Sequence, residues 1–494
     1  MCLPWRMREP SRLAGSSRSS RVFRALFWST LIASPACGRS ELEVRAFPHR
    51  DVVDSAPDID VSMPPDTVDV RMMDVPDATD AMDVTMAIDA SDSIDEIAVD
   101  IVLPVDVREV ADVLVPVDAG CRATLSPEVT FPIACISMSI AVGDLDRDGR
   151  ADVVVNDFNR GGPNLGVLHS LPGRMLSAET NYPARGERQS TVIADLDRDG
   201  WPDIIVQDYS LSNVDVYIND GHGAFASPLS YPAGDGRLTA GWALAVDDFD
   251  RDGWLDVAVG ELGQSLGSSA GGVVGVLRNA GRGVLLPQVV YPDDVVDGLP
   301  GGAYYRGVLS IATGDFNGDS YPDIALSASD AHVGILLNDG TGHFGAQIVY
   351  PMANRGPSGT SVALVVADFD LDGHVDLAAT NPWGPTPGLF MNAGDGTLRP
   401  EIPVFDVASG GGRVHLAAAD IDHDGRTDLV IVRNGINTFS NLTGTTFDTP
   451  VVYSEATGFV DGMAVGDIDG DGLLDVAIAD DRACVVGVYY ANCR

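Results

Sequence analysis

The 494-residue chain contains no lysine: all 31 of its basic residues are arginine, set against 72 aspartates and glutamates. The formal net charge of −41 argues against nucleic acid or an anionic membrane surface as a partner, because both would be repelled. Aromatics make up only 7% of the chain, and none occurs between Phe47 and Phe131. There is no HExxH metallohydrolase motif, and the eight histidines are scattered. The apolar run near the start, ALFWSTLIASPA, is too short to span a bilayer as a permanent helix. Glycine is plentiful, with 54 residues, and hydrophobic content is 45%. That is enough for a large core, and the mixture favours a turn-rich, all-β protein over a helical one.

Residues 1–36 have the layout of an export signal: Arg6, Arg8, Arg12, Arg18, Arg21 and Arg24, then the apolar run, then small residues. SPAC, Ser34 to Cys37, resembles a bacterial lipobox, which implies lipidation of Cys37 and display as an outer-membrane lipoprotein at the cell surface. Ser34 and Ala36 suit an ordinary signal peptidase equally well, which leaves secretion open. Residues 37–120 place Asp every two to four positions among Val, Pro and Ala. Such a segment lacks the large apolar groups that offset ordering entropy, and its charges self-repel, so it is expected to be a disordered linker. A membrane contact is therefore expected only through a lipid on Cys37.

Residues 121–494 carry one motif seven times. DLDRDGRAD begins at Asp144, and DLDRDGWPD, DFDRDGWLD, DFNGDSYPD, DFDLDGHVD, DIDHDGRTD and DIDGDGLLD begin at Asp195, Asp248, Asp315, Asp368, Asp420 and Asp467. A fixed period near fifty residues signals a repeat architecture. Small apolar alternation precedes each copy, and a β-branched run such as DVVVN or DIIVQ follows at once, which reads as a buried strand. A third run ends in a turn such as NDG, and a fourth ends in YP. Four short antiparallel strands make a propeller blade, so seven copies predict a seven-bladed β-propeller. The last copy lacks its fourth strand, while ATLSPEVTFP before the first copy is an orphan of that kind. The N-terminal strand should therefore complete the C-terminal blade and leave no unpaired sheet edge.

Each motif crowds carboxylates into nine residues, which repel unless a cation sits among them. Position one is Asp144, Asp195, Asp248, Asp315, Asp368, Asp420 and Asp467; position three is Asp146, Asp197, Asp250, Asn317, Asp370, Asp422 and Asp469. Position five is Asp148, Asp199, Asp252, Asp319, Asp372, Asp424 and Asp471; position nine is Asp152, Asp203, Asp256, Asp323, Asp376, Asp428 and Asp475. Hard oxygen ligands without Cys or His select calcium, at up to seven structural sites. The EF-hand is excluded, since its bidentate Glu at position twelve is replaced by Val155, Val206, Val259, Leu326, Ala379, Ile431 and Ile478. The fourth loop, with Asn317 for a carboxylate and Ser320 for glycine, is expected to be weakest.

The repeats resemble the FG-GAP and VCBS-type repeats of bacterial surface proteins, whose cation loops are similar to those in the β-propeller of integrin α chains. The resemblance covers residues 121–494 and implies that the loop carboxylates bind calcium. The literal Phe-Gly and Gly-Ala-Pro signatures are not evident, so integrin-like ligand recognition is not implied.

GQSLG, Gly263 to Gly267, matches a serine-hydrolase elbow, but a Gly/Ser-rich loop and a strand follow where a helix is required. His423 lies within a cation loop at a position expected to face solvent. Irregular insertions fall on the face opposite the cation loops, and Tyr304, Tyr305, Arg306 and Trp383 there are the candidate ligand contacts. The function expected is a non-enzymatic, monomeric, calcium-stabilised module that binds a protein or glycan; the alternative is an exported hydrolase or lyase with its site in the channel. Aligning GVYYANC with DVYINDG, and CRATLSP with HGAFASP, sets Cys493 beside Cys121, at the places of Gly221 and His222. Cys135 and Cys484 fall together on the opposite face. The pairings Cys121–Cys493 and Cys135–Cys484 follow.

Overall fold

The computed structural model describes residues 123–493, apart from 135–136, 160–161, 185–187, 209–210, 234–238, 263–271, 293–306, 329–331, 353–362, 381–386, 405–413, 434, 454–459 and 481. It also describes the backbone of Ile32–Ala36, Arg39–Ala46 and Met82–Ile88, which pair as a three-stranded antiparallel sheet. A stretch expected to lack secondary structure thus carries a small sheet, in keeping with the extended preference of its Val and Thr. The rest of the signal and linker, Cys37 included, lies outside the described residues, as do Cys121, Cys135, Tyr304, Tyr305, Arg306 and Trp383.

Residues 114–494 form a compact unit of their own. It is a seven-bladed propeller of four-stranded antiparallel sheets. Blades 1 to 6 run over 137–183, 188–232, 239–292, 308–351, 364–403 and 415–452. Blade 7 contributes Val460–Gly466, Asp475–Asp480 and Val485–Tyr489, and takes its fourth strand, Val129–Pro132, from the other end of the ring. The first strand of each blade packs on that of the next, and that of blade 7 packs on that of blade 1, so the ring is closed.

The short β-branched runs after each cation motif become the second strands, buried throughout in blades 2, 4, 5 and 6. Their alternate faces fill the gaps between blades: Leu309, Val333 and Ile335 of blade 4, for example, share a cluster with Leu364, Leu377 and Phe390 of blade 5. Position two of every motif joins this core, since Leu145, Leu196, Phe249, Phe316, Phe369, Ile421 and Ile468 are at most 3% exposed. Each loop is thereby anchored by an apolar side chain whose removal, for a Phe, costs about 3–5 kcal/mol.

Ring closure corrects one detail of the alignment. Ala491, Asn492 and Cys493 pair with Leu125, Thr124 and Ala123. Leu125 thus takes the place of Phe225, which bridges Asn219 in blade 2, and Cys121 shifts by one residue to the place of Gly221. The error arose from anchoring Ser126-Pro127 on Ser227-Pro228, one residue out of step with the strand pairing. Cys484 and Cys493 are both disulfide-bonded.

Candidate metal centres

Each cation loop joins the first strand of a blade to its second, and its polar atoms organise it from within. In loop 1, Asp144 accepts hydrogen bonds from the Asp148 and Gly149 amides, Asp146 accepts from Asp148, and Asp148 accepts from Arg150. The pattern recurs in loops 5 and 7. The carboxylates at one, three and five therefore converge on one point.

Position nine does something the motif alone did not disclose. Asp203 is fully buried, and its two oxygens accept from the Leu196 amide at 3.0 Å and the Asn219 amide at 2.8 Å. It thus ties the start of its own loop to the turn after the third strand. Asp152, Asp256, Asp323, Asp376, Asp428 and Asp475 repeat this with their own position-two amides and turns. Burial pushes the position-nine carboxyls of blades 2 to 7 up, to about 7 for Asp203, Asp256, Asp428 and Asp475 and to about 6 for Asp323 and Asp376.

The turn after the third strand carries a second recurrent device. Asn219 of blade 2 donates both to Pro202 in its own loop and to the Leu145 carbonyl in loop 1, while its Oδ1 accepts from the Gly221 and Gly223 amides. Asn279, Asn338, Asn392 and Asn441 make the same reach into loops 2, 3, 4 and 5. Every such Asn stitches a blade to the cation loop before it. The recurring Asn of NDG, NAG and NLT was the available signal, but it reads locally as a turn residue.

Position four adds a third link. Arg147 lies over the Trp201 ring of the next loop, Arg198 over Trp254, and Arg251 over Tyr321, at 4.8 to 5.5 Å. These arginines have left-handed backbones, with φ of 57°, 55° and 54°. Leu371 and His423 share this conformation. Position four thus requires positive φ as much as position six does. In loop 4 the requirement is exchanged: Gly318 occupies four, and Ser320 occupies six with φ of 72°. Ser320 is therefore no extra strain relative to loops 1, 2, 3, 5 and 6, which corrects half of the argument that loop 4 is weakest; the missing charge at Asn317 stands. His423 is half-buried, with a buried Nε2, whereas Arg147, Arg198, Arg251 and Leu371 at the same position are exposed.

The loops fit a divalent cation. Oδ1 of Asp195, Asp248 and Asp250 is buried without a hydrogen-bond partner, a cost that a bound cation removes. Asp195, Asp197 and Asp199, or Asp248, Asp250 and Asp256, each offer oxygens within 4.8 Å of one another. A cation there would be held by the carboxylates at one, three, five and nine, and would supply the countercharge that keeps them ionised.

The sequence profile of the FG-GAP-like repeat matches residues 195–259, 315–379 and 368–431. These spans begin at cation motifs and run through the second strands. These stretches are FG-GAP-like repeats. Human integrin alpha-7 is 33% identical over 32% of this chain and 13% of its own length. Human cartilage acidic protein 1 is 25% identical over 63% of this chain and 41% of its own. The chain thus spans well under two thirds of these relatives. Among solved structures, a NanB sialidase mutant from Streptococcus pneumoniae aligns over 83% of this chain and 74% of that one, with 11% identity and a TM-score of 0.39. That likeness is too loose to carry chemistry across.

Proposed function

We propose that this chain is an exported, calcium-stabilised β-propeller that acts as a non-enzymatic binding module for a protein or glycan. The observation that carries the reading is the set of buried, unpartnered carboxylate oxygens on Asp195, Asp248 and Asp250. Such atoms are tolerable in a rigid ring when a calcium ion completes them, and calcium suits an all-oxygen site of several carboxylates. Calcium then acts as a staple: each loop is bonded within its own blade and, in loops 1 to 5, through an Asn to the next.

Export rests on the Arg-rich start followed by an apolar run, with Cys37 as the lipidation point in a surface lipoprotein. Recognition is assigned to the face opposite the cation loops, with Tyr304, Tyr305, Arg306 and Trp383 as contacts, because loops on a rigid scaffold are free to vary. The test is a glycan array and a protein pull-down with the purified chain, in calcium and in EDTA. Calcium-dependent capture that is lost on Trp383→Ala supports the reading. Turnover of a captured glycan would replace it with the hydrolase or lyase.

A further inference from the structure

One loop departs from its six counterparts. The residue just after the third strand, beside the cation loop, is Ile218, Arg278, Leu337, Met391, Ser440 and Tyr490 in blades 2 to 7, but His169 in blade 1. Its Nδ1 lies 3.0 Å from Oδ2 of the fully buried Asp152 and 3.9 Å from Oδ2 of Asp146. Asp146, Asp152 and His169 offer ligand atoms within 4.8 Å of one another. Two donors on one zinc ion, with bonds of about 2.0–2.2 Å and angles near 90–110°, are separated by roughly 2.9–3.5 Å. The first spacing falls in that range, and a small swing of the partly exposed Asp146 brings in the second.

The imidazole is held in place from outside the loop. Blade 1 carries a hairpin, Ser170–Leu171 paired with Met175–Leu176, and Ser177 at its foot clasps the His169 backbone. The Ser177 Oγ accepts from the His169 amide at 2.9 Å, and the Ser177 amide donates to the His169 carbonyl at 2.8 Å. Loop 1 is also poorer in free oxygen, because the second oxygen of Asp148 is engaged by the Arg150 guanidinium. The loop gains a nitrogen donor and loses a hard oxygen, and both changes favour a borderline metal over calcium.

We propose that the cation loop of blade 1 is a mixed nitrogen–oxygen site for a borderline divalent transition-metal ion of the zinc type, with His169 as its nitrogen ligand. This rests on the reading of the loops as cation sites. The other six remain calcium sites, so the ring carries two classes of ion.

The experiment uses the full chain, stripped with chelator, returned to excess calcium, and then titrated with Zn²⁺ by calorimetry and with Co²⁺ by visible absorption. The expected result is one equivalent of Zn²⁺ bound against calcium, with a Co²⁺ spectrum showing ligand-field bands. His169→Ile, which copies blade 2, should weaken Zn²⁺ by at least about tenfold, the lower end of what losing even an outer partner costs. His169→Asn, which keeps a polar group beside Asp152 but no imidazole, should do the same. Calcium stoichiometry at the remaining loops, read in the same samples, should not change in either variant. Equal Zn²⁺ binding by the wild type and both variants, with calcium bound normally, overturns the site and leaves the calcium reading intact. A folded ring that takes up neither ion overturns both.

Discussion

Arg174, on the extra hairpin of blade 1, places its Nε 2.6 Å from Asp469 in the cation loop of blade 7. The same guanidinium donates to Asn492 at 2.8 Å and to the Ala491 carbonyl at 3.0 Å, and lies over the Tyr490 ring. The Asn stitch is missing here, as it is at Ala491 in blade 7, since Ser170 stands in its place and its hydroxyl bonds within its own blade, to Ala151. Arg174 takes over the work of the absent Asn. Arg174→Ala should therefore lower stability by about 1.5–3 kcal/mol, the range for hydrogen bonds to charged groups. Urea denaturation checks it, and an unchanged midpoint refutes the closure role.

Calcium removal should lower the melting temperature steeply. Binding to the folded ring alone contributes on the order of 3 kcal/mol per site at a hundredfold excess over the dissociation constant. The metal-free ring has its own pH dependence. The position-nine carboxyls of blades 2 to 7 are raised by burial, to about 7 in Asp203 and Asp475, so the folded state holds more protons than the unfolded chain between that value and their usual range. Stability in EDTA should thus fall as pH rises from 5.5 to 8. In excess calcium the trend should reverse, because protons then compete with the ion. Melting curves at both pH values, with and without EDTA, decide it; parallel trends would contradict the assignment.

Loop 4 separates charge from strain. Asn317→Asp should tighten its calcium binding, while Ser320→Gly should stabilise the apo ring by about 1 kcal/mol through relief of a positive-φ Cβ, with little effect on affinity. Calorimetric titration of the two single variants tests this. If Ser320→Gly alone strengthens the weakest site, the exchange between Gly318 and Ser320 has been misread.

Asn338 donates from a buried site to Phe249 of loop 3 and to Pro322 of loop 4, and accepts from Gly340 and Gly342. Asn338→Ala leaves several buried backbone groups without partners, each worth about 1–3 kcal/mol. A loss of roughly 3 kcal/mol or more is expected. A loss under 1 kcal/mol in chemical denaturation would show that the stitch is dispensable.

The disulfides should pair as Cys121–Cys493 and Cys135–Cys484. Cys493 is in register with Ala123, two residues after Cys121, and the Cys484 carbonyl accepts from Ile133 at 3.0 Å, two residues before Cys135. Cys484 and Cys493 stand at opposite ends of Val485–Tyr489, too far apart to bond to each other. Non-reducing peptide mapping that returns a Cys121–Cys135 fragment would rule the scheme out.

The blades, their number and the strand that closes the ring were legible because Asp–x–Asp–x–Asp–Gly recurs at a near-constant period beside β-branched runs. What stayed hidden lies between repeats. Asn219 finds its partner carbonyl on Leu145, 74 residues away, and a carbonyl has no signature in the sequence. Arg174 meets Asp469 across 295 residues. The left-handed backbone at position four was masked by Arg, Leu and His, which are not turn formers. His169 was overlooked because its blade-to-blade equivalents share neither charge nor polarity.

Val129–Pro132 is the first ring strand to leave the ribosome, and Val485–Tyr489, which it pairs with, is nearly the last. Blade 7 thus cannot assemble until the six other blades have been synthesised. A chain truncated before Val485 would not be a smaller propeller but an open stack with a raw sheet edge at each end, exposed to pairing with its own copies. The join that removes edges from the finished ring also makes every incomplete one a hazard, so quality control on this molecule must act on the whole chain.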